Sequence, residues 1–401
     1  MQKDKEDLKR KIGFIGASIT MILIYAASSS PIPLYAMYQS MFGITKNILS
    51  MSAVFYFIGT VISLLMFGRL SDYIGRHKTI LITIILAILG CFSFIIINNA
   101  TIFLIGRLLQ GLSCGLASSC VAAYIVDTAS DDKSSLGAIV TSSATMIGLS
   151  IGVFGGSALV ELNPNLISTI FVIWILTFII CALLIFSGKE TVKPKKGAFK
   201  SMKPQIKVPT NIKRFIPIAA AIFIGTWAVG GFYQAFSATM SIEQFGVSNK
   251  LLGAAIFASL MAPQIVGSSL VDKFKSFNGE RVGMVGFAIS MVLIIVSLKY
   301  SLVVPFLIFN IISAMFIGLS FTSIMNAMLE RTSQTDRAGV LSTIYLISYG
   351  GTAIVNLVVG QIANNIPLLT IAIGYCCFVI ITCVITLIGT FKISYEDSEK
   401  I

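Results

Sequence analysis

Twelve apolar runs, most of them about 20 residues long, are separated only by short polar or turn-forming breaks, and this pattern restricts the fold more than any other feature of the sequence. The runs cover 12–37, 49–68, 79–97, 101–126, 135–159, 166–187, 214–238, 250–271, 281–298, 302–326, 338–361 and 367–390. Each is long enough to cross a bilayer as a helix, and a helix is the form in which a single segment satisfies its own backbone groups in hydrocarbon. Only 11% of residues are charged and 56% are hydrophobic, too little charge to coat a water-soluble domain of 401 residues. The expected fold class is an all-α membrane protein with twelve transmembrane helices. The basic, polar start MQKDKEDLKRK is followed by an apolar run that is too long for a cleavable signal, so none is expected.

Lysine and arginine orient the spans. With the N-terminus in the cytoplasm, 25 of the 29 basic residues fall in cytoplasmic segments, and only Lys46, Lys250 and Lys299 lie outside. Arg107 is the one remaining positive charge, inside a span. Such a split predicts that both termini are cytoplasmic. It also accounts for the net charge of +12 without nucleic acid, because the positives are spread over loops on one membrane face. The seven cysteines lie in apolar stretches without metal-ligand spacing and read as soft core residues. No metal site is expected.

The chain divides into halves: 1–187, a basic proline-containing linker over 188–213, and 214–401. The linker reads as a tether, with generic contact to anionic headgroups. FGITKNIL at 42–49 returns as FGVSNKLL at 245–252, and Gly115-Leu116 returns as Gly318-Leu319, both 203 residues later. Asp132-Lys133 and Gly156 return as Asp336-Arg337 and Gly360 at 204. Four matches in near-constant register imply a duplicated unit of six spans. Two such pseudo-symmetric bundles have the same orientation, with a pathway expected between them.

Between the second and third spans lies GRLSDYIGRHK, 68–78. Gly68, Leu70, Asp72, Gly75 and Arg76 match the pattern G-x-L-x-D-x-x-G-R-[KR], with His77 at one basic position. This loop resembles the cytoplasmic loop motif of the major facilitator superfamily. Gly68 would allow close helix approach, and Gly75 would permit a tight turn. Arg107, Gln110 and Gly111 match the family's R-x-x-Q-G in the fourth span. In relatives a carboxylate at the position of Asp127 pairs with the loop arginine, so the resemblance implies a cytoplasmic latch of Asp72, Arg76 and Asp127; a solvated helix-end acid is the other reading. Gly148, Gly152 and Gly156 in span 5 partly match the antiporter motif, with Val153 and Ser157 departing from it. They also form a small-residue face of the kind that any bundle uses for packing.

Substrate-binding candidates are Tyr25 and Ser29 in span 1, Arg107 and Gln110 in span 4, Trp227, Tyr233 and Gln234 in span 7, and Tyr349 in span 11. By the resemblance, spans 1, 7 and 11 line a central cavity; interhelical packing or an interfacial aromatic belt is the rival role for the aromatic residues. Of two readings of Arg107, the cavity is favoured, because Gln110 and Cys114 at i+3 and i+7 extend a polar stripe on the same face. Its insertion cost, about 2.5–3.5 kcal/mol or more, argues for a wet cavity or a partner. Its place near the outer end of the span allows snorkelling instead. None of the 17 acids falls within a span, which points toward neutral, zwitterionic or anionic cargo and leaves the proton carrier unassigned. No G-x-x-x-x-G-K-[ST] phosphate loop occurs.

The resemblance implies a secondary active transporter of the cytoplasmic membrane, working by alternating access and most like the drug:proton antiporter-type exporters. Proton-coupled efflux of a drug-like or metabolite substrate is the first reading. Proton-coupled uptake of an anionic or zwitterionic metabolite is the second. A membrane receptor or scaffold is a third, disfavoured for want of extramembrane domains. No enzymatic activity or cofactor is expected. The proton gradient is the expected energy source, the lipid bilayer and a small molecule are the expected partners, and the monomer is the expected functional unit.

Overall fold

The computed structural model describes residues 2–129, 134–204, 208–274, 277–333 and 336–398. Among these residues there is no strand, and twelve helices are long and apolar enough to span a membrane. We number them α1 (Lys5–Phe42), α2 (Lys46–Phe67), α3 (Arg76–Ile95), α4 (Ala100–Thr128), α5 (Ser143–Leu162), α6 (Pro164–Ser187), α7 (Thr210–Glu243), α8 (Lys250–Ser269), α9 (Asn278–Lys299), α10 (Val303–Glu330), α11 (Gly339–Ile362) and α12 (Leu368–Ile393). The expected twelve spans are all present. Several run past the apolar stretch that announces them, because a helix does not stop where its hydrocarbon stops. α7 continues to Glu243 and α10 to Glu330. α9 begins at Asn278, which takes Glu280 out of the expected loop and into the first helical turn.

The chain forms two compact units. The first comprises residues 1–44 and 55–204, the second 45–54 and 205–401. The division at 204/205 falls inside the expected linker. Residues up to 203 hydrogen-bond to the first unit: Arg69 donates to the carbonyls of Ser201 and Lys203 (both 2.9 Å), and the Lys195 amide donates to the Tyr73 carbonyl (2.8 Å).

In the first unit, α1 is interrupted as its prolines predict. A regular helix ends at Ser29, Ile32–Leu34 form a tighter turn, and the helix resumes at Tyr35. α5 packs on α1 through its glycines. A Cβ on Gly148, Gly152 or Gly156 would run into the carbonyls of Ile22, Ala26 and Ser30 respectively, so backbone meets backbone along three helical turns. The outer faces are apolar, as lipid contact requires. On α6, Leu176, Ile180 and Leu183 are all more than half exposed at helical spacing.

The duplicated register is visible in each unit taken alone. α3 ends at Ile95 and α9 at Lys299, 204 residues on; α4 begins at Ala100 and α10 at Val303, 203 on. Gly115 lies against the carbonyl of Thr60, and Gly318 against that of Gln264, the same contact displaced by the repeat. The Asp132-Lys133 pair lies outside the described residues.

Candidate functional site

The loop 68–78 turns at Gly75, whose φ of +99° favours glycine, and Arg76 then opens α3. Gly68 does something different from the expected helix approach. A Cβ there would meet the carbonyl of Leu64 one turn back, at 2.5 Å, where α2 ends in a widened π turn. The buried Arg76 guanidinium gathers the acids. Its Nε donates to Asp127 Oδ2 at 2.9 Å, and Nη1 donates to Asp72 Oδ1 at 2.7 Å and also to Ser71 Oγ. The structure thus brings the three expected latch residues together.

A third acid, and fourth residue, joins them that sequence reasoning did not single out. Glu190 lies just beyond α6 and accepts the amides of Arg76 (3.1 Å), His77 (2.9 Å) and Val192 (3.1 Å). Gly75 has no side chain with which to cap α3, and Glu190 supplies that cap from a distant part of the chain. Burial opposes ionisation of Glu190, but these backbone donors and the nearby His77 outweigh it and hold its carboxyl below the usual carboxylate range. Thr191 donates to Asp127 Oδ2 (3.0 Å), and Tyr124 donates to the Lys189 carbonyl (2.9 Å). Residues 189–203 therefore form a strap over the loop motif. The only sequence signal for it was the acidic residue in the otherwise basic GKETVKPKK.

Arg107 is fully buried. Its Nη1 donates to the Ser28 carbonyl and to Gln110 Oε1, both at 2.7 Å, and its guanidinium lies 4.8 Å from the centre of the Tyr56 ring. Gln110 Nε2 donates to the Ala27 carbonyl at 2.9 Å. Pro31 has no N–H to offer the carbonyl four residues earlier, which is that of Ala27. The Arg-x-x-Gln pair on α4 thus satisfies backbone oxygens that the break in α1 exposes. With no accessible surface, Arg107 is not at the outer surface, which removes the snorkelling reading. Tyr25 and Ser29 also bind within this unit. Tyr25 Oη is 3.1 Å from Ser118 Oγ, and Ser29 donates to the Leu149 carbonyl at 2.8 Å.

In the second unit the expected residues fall into two groups. Trp227 and Tyr349, both partly exposed, meet edge to face at 4.3 Å, and Phe321 stacks on Trp227 at 5.8 Å. Tyr349 stands in a π turn, Leu346–Gly350, a local widening that recurs at functional sites. Tyr233 and Gln234 are buried. Tyr233 Oη donates to Asn310 Oδ1, while Gln234 Nε2 and Ser237 Oγ have no hydrogen-bond partner among the described residues. Asn356, packed on Gly231, accepts from Tyr375 Oη at 3.0 Å.

These features have counterparts in known proteins. The family model described as "Major Facilitator Superfamily" matches residues 17–355. The chain belongs to the major facilitator superfamily. Among its superfamily relatives is the quinolone resistance protein NorA of Staphylococcus aureus strain MRSA252, 23% identical over 283 residues, which are 69% of this chain and 71% of NorA. A shorter likeness, 34% over 97 residues, is to the sugar transporter ERD6-like 15 of Arabidopsis thaliana and covers 24% of this chain and 20% of that protein. Of solved superfamily folds, the crystal structure of a bacterial homolog of the human lysosomal transporter Spinster, inward-facing and occupied, superposes with a TM-score of 0.72 at 14% identity, covering 94% of both chains. The protein is a multi-pass membrane transporter of this superfamily.

Proposed function

We propose that this transporter exports planar, partly aromatic small molecules by alternating access, driven by the proton gradient. The observation that carries the reading is the Trp227–Tyr349–Phe321 cluster. All three rings are partly exposed on a transporter bundle, one pair meeting edge to face and the other stacked. Aromatic faces in edge and stacked arrangements favour a flat ligand by about 0.5–1.5 kcal/mol per ring pair beyond area burial. The likeness to NorA over most of both chains supports export and supports a quinolone as the first probe. Uptake of an anionic metabolite has less in its favour, since the positive charge that suggested it is buried on Ser28 and Gln110.

The test is transport of a fluorescent quinolone in proteoliposomes with an imposed pH gradient. Movement against the quinolone gradient should collapse on adding a protonophore. Trp227→Ala should raise the half-saturating concentration roughly tenfold, the loss of one or two ring contacts. Quinolone movement that ignores both the protonophore and the imposed gradient would overturn proton coupling. Unchanged affinity in the Trp227 variant would remove the aromatic cluster from the site.

A further inference from the structure

The repeat register carries the loop latch of the first half onto a specific pair in the second. Arg76 opens α3 directly after Gly75; 204 residues later Glu280 stands in the first turn of α9, directly after Gly279. Asp127 lies at the end of α4; 204 residues later Arg331 caps the end of α10. The positions correspond, and the charges are exchanged. The first half has its cation at the helix start and its anion at the helix end, and the second half has the reverse.

The helix ends in the second unit are built to bring this pair together. Gly279 lies against Ser323 of α10 and Gly283 against Ser320, so the start of α9 is fixed closely on α10. Cys120, near the matching level of α4, contacts the Arg76 carbonyl at 3.7 Å. In both halves the two charged positions are then separated by roughly 10 Å along the second helix. One long and one short side chain bridge that distance in the first half, and one long and one short side chain are present in the second.

The two halves differ in whether the pair is made. Arg76 and Asp127 are bonded at 2.9 Å. Glu280 is 1% exposed, and its Oε2 has no hydrogen-bond partner among the described residues. A buried carboxylate oxygen without a donor is costly. Among the described residues, Arg281 and Arg331 act electrostatically on Glu280. Arg281 is engaged elsewhere, donating to Thr390 Oγ1 (3.0 Å) and the Thr390 carbonyl (2.8 Å) and lying 4.0 Å from the Phe391 ring centre. Arg331 is exposed and parked on its own helix, with Nη1 on the Ala327 carbonyl (2.9 Å) and the guanidinium 5.0 Å from the Phe215 ring centre. These are contacts that a short rotation of the side chain would give up at little cost.

We propose that Glu280 and Arg331 are the cytoplasmic latch of the second half, a polarity-reversed counterpart of Arg76 and Asp127, joined in a conformation of the cycle other than the one described here. The proposal rests on the alternating-access reading for its role in transport, though not for the existence of the pair. Both are positioning residues that act on helix ends and not on cargo.

A charge-reversal cycle tests it on the purified full-length protein. Glu280→Arg and Arg331→Glu alone should each lower the melting temperature and slow quinolone transport roughly tenfold. The double variant should recover both, with transport within about twofold of the parent. If a reversal variant does not accumulate, Glu280→Gln and Arg331→Gln replace it; their effects should then not add, because either one already removes the pair. In a background without the seven native cysteines, Glu280→Cys with Arg331→Cys should cross-link with a short bis-maleimide. Additive losses in either cycle, or absence of cross-linking, would overturn the pair. Recovery of the melting temperature in a parent protein that moves no quinolone would sustain the pair and count against the proposed cargo.

Discussion

At the scale of the residue, Arg107 shows how far a sequence can be read. A lone charge inside an apolar run announces that something must stabilise it, and the run also supplies Gln110 one turn away. What the run cannot announce is the partner, because that partner is a backbone carbonyl on another helix, freed by the break in α1. The geometry predicts a mainly structural role. Arg107→Ala would leave the Ser28 carbonyl without this donor and Gln110 without its charged neighbour, and should destabilise the protein by roughly 2–3 kcal/mol. Arg107→Lys should recover little, since one ammonium cannot repeat the planar fork over Tyr56. Thermal melting of the purified variants checks the loss. The relative rates for quinolones of different charge should be those of the parent in the fraction that remains folded. A folded Arg107→Ala protein that loses only its anionic substrates would return Arg107 to the binding site. Trp227 and Tyr349 were legible as aromatic residues on two spans, but their edge-to-face contact joins residues more than a hundred positions apart and was not.

At the scale of the element, the strap 189–203 changes what the loop motif is. The glycines, Asp72 and Arg76 were readable from spacing. The cap on α3 was not, since capping rules look for a residue next to the helix and Glu190 is 114 positions from Arg76. Its carboxyl is held below the usual range by amide donors, so it is ionised more readily in the folded protein than in the unfolded chain. The sign follows from linkage: its contribution is fully present above the unfolded value, about 4.3, and is lost as pH falls through the lower folded value. Glu190→Gln should therefore lower the melting temperature by a constant amount at neutral pH. The difference between parent and variant should shrink only below about pH 4. A pH titration of the melting temperature of both proteins checks this. A difference that grows on acidification would mean that the neutral carboxyl is the stabilising form. The span boundaries missed by sequence have a related cause. Hydrophobicity marks where a helix meets lipid, while α7, α9 and α10 continue into polar sequence and carry Glu243, Glu280 and Glu330 with them.

At the scale of the whole molecule, twelve spans and their duplication were legible because both follow from periodic composition, which needs no long-range contact to be read. Orientation in the membrane is a separate matter, decided by where the basic residues stop translocation. The 25-to-3 split of Lys and Arg predicts that both ends of the chain and the strap lie on the cytoplasmic side. It would leave Lys46 and Glu243, bonded at 2.8 Å, on the outer side. Cysteine accessibility in intact cells distinguishes the two orientations. In a background with the seven native cysteines replaced, Asn163→Cys, between α5 and α6, should react with a membrane-impermeant maleimide added outside. Lys5→Cys, Lys200→Cys and Ser398→Cys should react only after the membrane is opened. The strap position is the most telling of these. Lys200 belongs to a segment whose neighbours are hydrogen-bonded to the loop motif, so the side that position 200 reports is the side on which Arg76, Asp127 and Glu190 meet. Labelling of position 200 from outside would invert the topology, place the whole latch outside the cell, and reverse the direction in which the proton gradient could drive cargo.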